Sequence, residues 1–254
     1  MNLVHPFRGQ ELEPGQHLYP HALERTGMGF ALQILKVGEK LELGFEDAEC
    51  AVLLLAGKCR FSLRGASLTV DRPHWIQAGP TVAHLAAGET VEVSATSQTR
   101  LAIVHTPNRA TFPSRLLQEE MVAVEHRGRG LLEDTCYRQV RTVFDRTSAP
   151  LESQLVLGEV INFPGRWSSY PPHHHAQPEL YYYEFSPIHG YGHAELGERV
   201  FKMGHQDLLI ITDRRDHAQC AAPGFHLYYL WAIRHLSGNP YTGFEYTWPF
   251  DELI

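Results

Sequence analysis

The chain has 254 residues, 43% of them hydrophobic and 20% charged, with a net charge of −7 and a pI near 6.1. That composition excludes disordered and fibrous classes, and the acidic balance lacks the clustered lysine and arginine that phosphate backbones and anionic membranes require. Nucleic-acid and membrane partners are therefore set aside, and the length allows one large domain or two of about 125 residues.

The first residues, MNLVHPFRGQELEPG, have neither the basic start nor the apolar stretch of a signal peptide, so a cytoplasmic protein is expected. Short alternating or apolar runs then follow between Gly, Pro and Asp: FALQILKV, AVLLLAG, CRFSLRG, ASLTV, TVEVSA and RLAIVHT. From Thr106 to Glu125 the composition shifts, with two prolines and a short predicted helix at SRLLQEE, and this segment reads as a linker. Further strands are predicted beyond it at QLVLGEVIN, LYYYEF, RVFKM, DLLIIT and HLYYLWAI. No capped segment of helical period exceeds about three turns, so the fold class is all-β, with a density of short strands that points to sandwiches or barrels. Two β domains are expected, residues 1–112 and 113–254, whose weakly similar patterns suggest a duplicated domain and not a solenoid. Cys50, Cys59, Cys136 and Cys220 form no CxxC pair and are expected to be reduced thiols.

The stretch WSSYPPHHHAQPELYYYEF, residues 167–185, concentrates three histidines, a glutamate and three tyrosines. Alone, an HxH after Pro171 and Pro172 reads as an exposed polar loop. Here His173 and His175 are two apart and point the same way on a strand, Glu179 follows after a predicted turn, and His217 arrives beyond the apolar strand DLLIIT. Three imidazoles and a carboxylate can form the shell of a divalent transition metal with room for substrate or water. If Glu179 faces inward, alternation sends Tyr181 and Tyr183 the same way and turns Leu180, Tyr182 and Glu184 outward.

HxH(x)3-4E with a distant His is similar to the cupin metal pattern, and GRWSSYPPHHH, ELYYYEF and APGFHLYYLWAI closely resemble segments of the 5-deoxy-glucuronate isomerase family of inositol catabolism. The resemblance extends upstream to VEHRGRG, RQV and LVLGEV and is looser in the first half. It implies two tandem cupin barrels (double-stranded β-helix, or jelly-roll), with the metal at His173, His175, Glu179 and His217 in the second. Aligning the first half on the same pattern puts Gly44, Glu46, Cys50 and Val91 where ligands would stand, so its barrel is expected to be scaffold or dimer surface, with His84 and His105 structural or exposed. Departures from the family pattern are His174 in place of a lysine, Glu184 in place of an arginine, and TDRRD as the turn before His217.

The activity implied is aldose–ketose isomerisation of 5-deoxy-glucuronate to 2-deoxy-5-keto-gluconate. Another deoxy- or keto-uronic acid, a cupin dioxygenase and a non-catalytic sugar-binding cupin are the competing readings. Such an isomerase needs a proton moved between adjacent carbons and a Lewis acid for the charge on oxygen, for which zinc fits best and manganese or ferrous iron also fit. Tyr181, Tyr183 and Lys202 are the candidate catalytic groups. Arg166, Trp167 and Tyr170 are candidates for substrate contact, and a homodimer is expected.

Overall fold

Runs of β-branched and aromatic residues separated by turn residues form strands throughout a computed structural model that describes residues 2–253. The residues gather into two compact units: Leu12–Ala123 with Val143–Val156, and Met1–Glu11 with Val124–Thr142 and Leu157–Ile254. This clustering differs from a single cut at residue 112, for three reasons of pairing. Leu3–Val4 pairs with Leu208–Ile211, Arg115–Leu117 pairs with Val82–Leu85, and Ser153 and Gln154 hydrogen-bond to the buried carboxylate of Glu49.

The unit built on Leu12–Ala123 is organised by one long strand, Ala48–Leu63, which joins the two runs AVLLLAG and CRFSLRG that the sequence separates at Gly57. It pairs with Val82–Leu85 and Thr99–Pro107 through its first half and with Ala66–Arg72 and Thr90–Ala95 through its second, with a register shift between Leu54 and Ala56. Val52, Leu54 and Phe61 of this strand close one apolar cluster with Val91, Val93 and Ile103 of its neighbours. The expected helix at SRLLQEE is instead the edge strand Arg115–Leu117 followed by a 3-10 turn at Glu119–Met121. Pairing to Val82–Leu85 outweighs the helical preference of two adjacent leucines. Nor is 106–125 a free tether, since Phe112 is buried against His84 with ring centroids 5.0 Å apart.

The second unit packs two sheets face to face. A seven-stranded sheet runs in the order Leu3–Val4, Leu208–Ile211, Glu179–Ser186, His226–Arg234, Leu155–Asn162, Arg138–Phe144, Val124–Arg127. A five-stranded sheet runs Arg199–Gly204, Tyr191–Leu196, His217–Ala221, Trp167–His174, Glu245–Tyr246. Tyr181, Tyr183, Phe185, Leu209 and Tyr229 from the first meet Ala194, Leu196, Met203 and Ala221 from the second in a common core. At roughly 25 cal/mol per Å2 of buried apolar surface, each such aromatic contributes on the order of 2 kcal/mol. No helix of the described residues is long and apolar enough to cross a membrane.

Candidate metal centre

Two strands bring the imidazoles together. His173 lies directly opposite His217 in the antiparallel pair between Trp167–His174 and His217–Ala221, so both side chains leave the same face. A register shift between Ser168 and His173 bends the first strand, as bulges beside functional sites do. The chain then leaves the strand at His175, bends at Ala176 and Gln177, and re-enters the sheet at Glu179. Gln177 fixes that bend by donating from Nε2 to the carbonyl of Asn239 at 2.9 Å.

Ligand atoms of His175, Glu179 and His217 all lie within 4.8 Å of one another, and all three residues are buried. His173 adjoins them, its ring centroid 4.5 Å from that of His217. Nδ1 of His217 is 3.2 Å from the carbonyl of Arg215 and Nδ1 of His173 is 3.2 Å from that of Ser169. A carbonyl only accepts, so each Nδ1 carries the proton and each Nε2 presents a lone pair. Nε2 of His217 is buried without a hydrogen-bond partner and faces Oε2 of Glu179 at 3.3 Å. Two lone pairs held this close out of water repel each other, and a cation between them removes the penalty. The donor set, imidazole nitrogens with one carboxylate, therefore fits a divalent metal.

Burial alone would raise the Glu179 carboxyl, but the hydrogen bond from His175 at 3.0 Å holds it below the usual carboxylate range. It is an anion at neutral pH. Burial, with the neighbouring His217, pushes His173 well below the usual imidazole range, so its ring is neutral and available as a ligand. Tyr181 and Tyr183 are pushed well above the usual phenol range, chiefly by burial, with neighbouring phenols and the Glu179 charge adding to it. Both remain protonated. Tyr183 donates to Oε1 of Gln219 at 2.6 Å, Gln219 donates to Ser169, and the Tyr229 hydroxyl lies 2.6 Å from that of Ser168. The Tyr181 ring is 5.9 Å from that of His217 and 5.2 Å from that of Tyr229.

Of the residues singled out in the sequence, His173, His175, Glu179, His217 and Tyr181 are thus brought together, with Tyr183 one step along the same face. Glu184 is on the opposite face, where alternation puts it, but that face is buried: Glu184 is 2% exposed and accepts from the Tyr182 hydroxyl at 2.9 Å. The remaining candidates lie elsewhere. Lys202 is exposed, its ammonium 4.5 Å from the centre of the Tyr191 ring, because its strand turns it away from the core side of Met203. Arg166 stacks over Tyr137 and Phe163 at 5.2 and 5.4 Å. Trp167 pairs with Cys220, six residues along the strand from His173, and touches Tyr170 with ring centroids 5.5 Å apart.

Several site residues carry no sequence-level signal strong enough to name them. Gln219 follows His217 by two and shares its face, which period-two counting could have found. Phe244 and Tyr241 could not have been found that way, since they come from the irregular segment SGNPYTGFEY; their rings lie 4.3 Å from His173 and 5.0 Å from His175. A pocket of about 280 Å3 opens beside His175, lined also by His174, Gln177, Arg214, Asn239 and Glu245. Arg214 donates to Glu245 there at 3.0 Å.

The model of the KduI/IolB family matches residues 3–248. The chain belongs to that family. Among its relatives, the 5-deoxy-glucuronate isomerase of Geobacillus kaustophilus (strain HTA426) is 30% identical over 259 aligned residues, covering 91% of this chain and 85% of that one. The 5-deoxy-glucuronate isomerase of Geobacillus thermodenitrificans (strain NG80-2) is 29% identical over 244 residues, covering 88% and 82%. Among solved structures, an IolB-like protein from Salmonella typhimurium LT2 superposes with a TM-score of 0.86 at 20% identity, over 100% of this chain and 99% of that one. An oxalate decarboxylase from Lactobacillus farciminis superposes with a TM-score of 0.66 at 13% identity, over 94% and 86%. At these identities the structures speak for the fold alone, and the fold is that of the cupins.

Proposed function

We propose that this family member is a metal-dependent isomerase that converts the aldose acid 5-deoxy-glucuronate into the ketose acid 2-deoxy-5-keto-gluconate in inositol catabolism. The observation that carries the reading is the buried, partnerless Nε2 of His217 facing Glu179, in a chain that aligns over 91% of its length with a 5-deoxy-glucuronate isomerase. His173, His175, Glu179 and His217 would hold the ion. Zinc suits the donors and has no redox chemistry to divert the substrate, while manganese and ferrous iron suit the same donors. Such an ion supplies Lewis acidity to the carbonyl and the adjacent hydroxyl of the sugar.

The chain's own groups orient the substrate and shape the site. Tyr181, kept protonated by burial, is a donor and not a base, so its part is to hold a substrate oxygen by a hydrogen bond. Tyr183 is tied to Gln219 and acts by fixing the wall on which Tyr181 and Tyr229 stand. Phe244 and Tyr241 pack against His173 and His175 and form the apolar side of the site. The unit built on Leu12–Ala123 is scaffold in this reading. A homodimer is in keeping with the edge strand Gly15–Leu18, whose Leu18 is 64% exposed, and a cytoplasmic location with four free cysteines.

Proton NMR of 5-deoxy-glucuronate in deuterated water with metal-loaded protein tests the reading. Ketose signals should grow with deuterium entering at the former aldehyde carbon, and both chelation and His217→Ala should stop them. A protein shown to hold its metal that neither converts nor exchanges this sugar would rule the substrate out.

A further inference from the structure

A substrate that reacts at an aldehyde and carries a carboxylate at its other end needs a cation away from the metal cluster. We propose that Arg138 receives that carboxylate. This assignment rests on the acid-sugar reading above.

Two buried arginines, Arg138 and Arg141, stand on one strand of the unit that carries the cluster, 8% and 6% exposed. They are three residues apart and so leave opposite faces. Arg141 is answered by Glu159 at 2.8 Å. Arg138 shares its face with Val140, which belongs to the same core as Tyr181, Tyr183 and Tyr229. Its single hydrogen bond among the described residues runs from Nη1 to the carbonyl of Cys136 at 2.8 Å, and no described carboxylate forms an ion pair with it. The groups that act on it electrostatically are Tyr229, Cys136, Arg127 and Tyr246. Tyr229 touches Tyr181, and the Tyr246 ring is 6.3 Å from that of His173. Arg138 therefore faces the side of its sheet on which Tyr181 and Tyr229 stand.

Burying a guanidinium without an anion is costly, and burial lowers its pKa accordingly. Arg127 adds to the cost. It lies directly opposite Arg138 across the antiparallel pair, and like charges in that relation repel. Arg127 is answered by Glu125 at 2.9 Å, which leaves Arg138 as the charge that an incoming carboxylate would neutralise. A guanidinium offers a planar fork that matches a carboxylate in two parallel hydrogen bonds. The other cations near the cluster are committed or outside: Arg214 to Glu245, Arg166 to two rings, Lys202 to the face of Tyr191.

The test compares 5-deoxy-glucuronate with 5-deoxy-glucose, in which hydroxymethyl replaces the carboxylate, on metal-loaded protein. Wild type should favour the acid by about 100-fold in kcat/KM. Arg138→Met should raise KM for the acid by about 100-fold, with kcat changed by less than about threefold and the neutral sugar unaffected. Arg138→Lys should recover about tenfold of that loss. A wild type that treats both sugars alike overturns the assignment without any variant, and so does an Arg138→Met that loses both substrates equally while remaining folded by circular dichroism. If wild type turns over neither sugar, the isomerase reading fails by itself. Calorimetry with D-glucuronate then decides the assignment: binding by wild type that Arg138→Met abolishes supports it, and its absence in wild type overturns it.

Discussion

Glu49 is a carboxylate with no exposed surface, yet it is held below its ordinary range: burial pushes it up, and its hydrogen bonds with His84, Gln154 and Ser153 push it down further. Its oxygens accept from Nε2 of His84 at 2.8 Å, the Ser153 hydroxyl at 2.6 Å, the Gln154 amide at 2.7 Å and Asn108 at 2.9 Å. His84, a histidine with no role in the chemistry proposed here, is thus a structural donor, stacked on Phe144 with centroids 4.1 Å apart. Glu49→Ala removes the acceptor of four donors, two of them, on His84 and Ser153, buried, and should cost about 3–5 kcal/mol at pH 7. Because the folded pKa lies below the unfolded 4.5, the unfolded chain takes up the proton first as pH falls. The stabilisation is therefore complete above pH 4.5 and disappears as pH drops through the folded value. Urea unfolding of wild type and variant should show a wide gap at pH 7 that narrows at pH 3; a gap independent of pH would mean that the carboxylate charge is not what holds this cluster.

At the level of elements, the strand Ala48–Leu63 changes partners at Gly57, which lies at φ +114. A Cβ there would come 2.4 Å from the carbonyl oxygen of Gln98 and 2.8 Å from Cα of Thr99, both backbone atoms that cannot step aside. Gly57→Ala should cost about 2–4 kcal/mol and lower Tm, while the same change at Gly65, where nothing lies within 4 Å, should cost about 1 kcal/mol from its φ alone. Equal melting shifts for the two would remove close approach as the reason for Gly57. The sequence shows where this strand bends but not that it continues, since glycine between apolar runs reads equally well as a turn. Strands with strong alternation or long apolar runs, such as Leu155–Asn162 and His226–Arg234, were legible. Tyr191–Leu196 was not, because two of its three inward residues, Gly192 and Ala194, are too small to mark a period. Trp167–His174 was obscured by two prolines and by the positive φ of Ser169, which interrupt any strand pattern. The spacing of the cluster was legible all the same, because His173, His175 and Glu179 are local in sequence and His217 follows an apolar strand.

Residues far apart in the chain were the harder part at the scale of the molecule: Phe244 over His173 and Tyr241 over His175 meet only through the folded sheets. The same non-local wiring predicts how a bound metal is felt. His173 and His217 tie two strands of the five-stranded sheet, and Glu179 opens a strand of the seven-stranded one, so an ion on these side chains crosslinks both sheets of one unit. A ligand that binds only the folded state stabilises it by RT ln(1 + [L]/Kd), about 2.7 kcal/mol at a hundredfold excess over Kd. Hydrogen exchange with and without chelator should therefore show protection lost on metal removal in 167–186 and 208–221, with 48–63 and 99–107 little changed. Those last strands belong to the other unit and carry none of the four residues proposed to hold the ion. Exchange that quickens equally in all four segments would show that the ion's stabilisation is shared by both units; exchange that quickens in none would mean that the cluster is held by protein contacts alone, with Glu179 and His175 already locked by their 3.0 Å hydrogen bond.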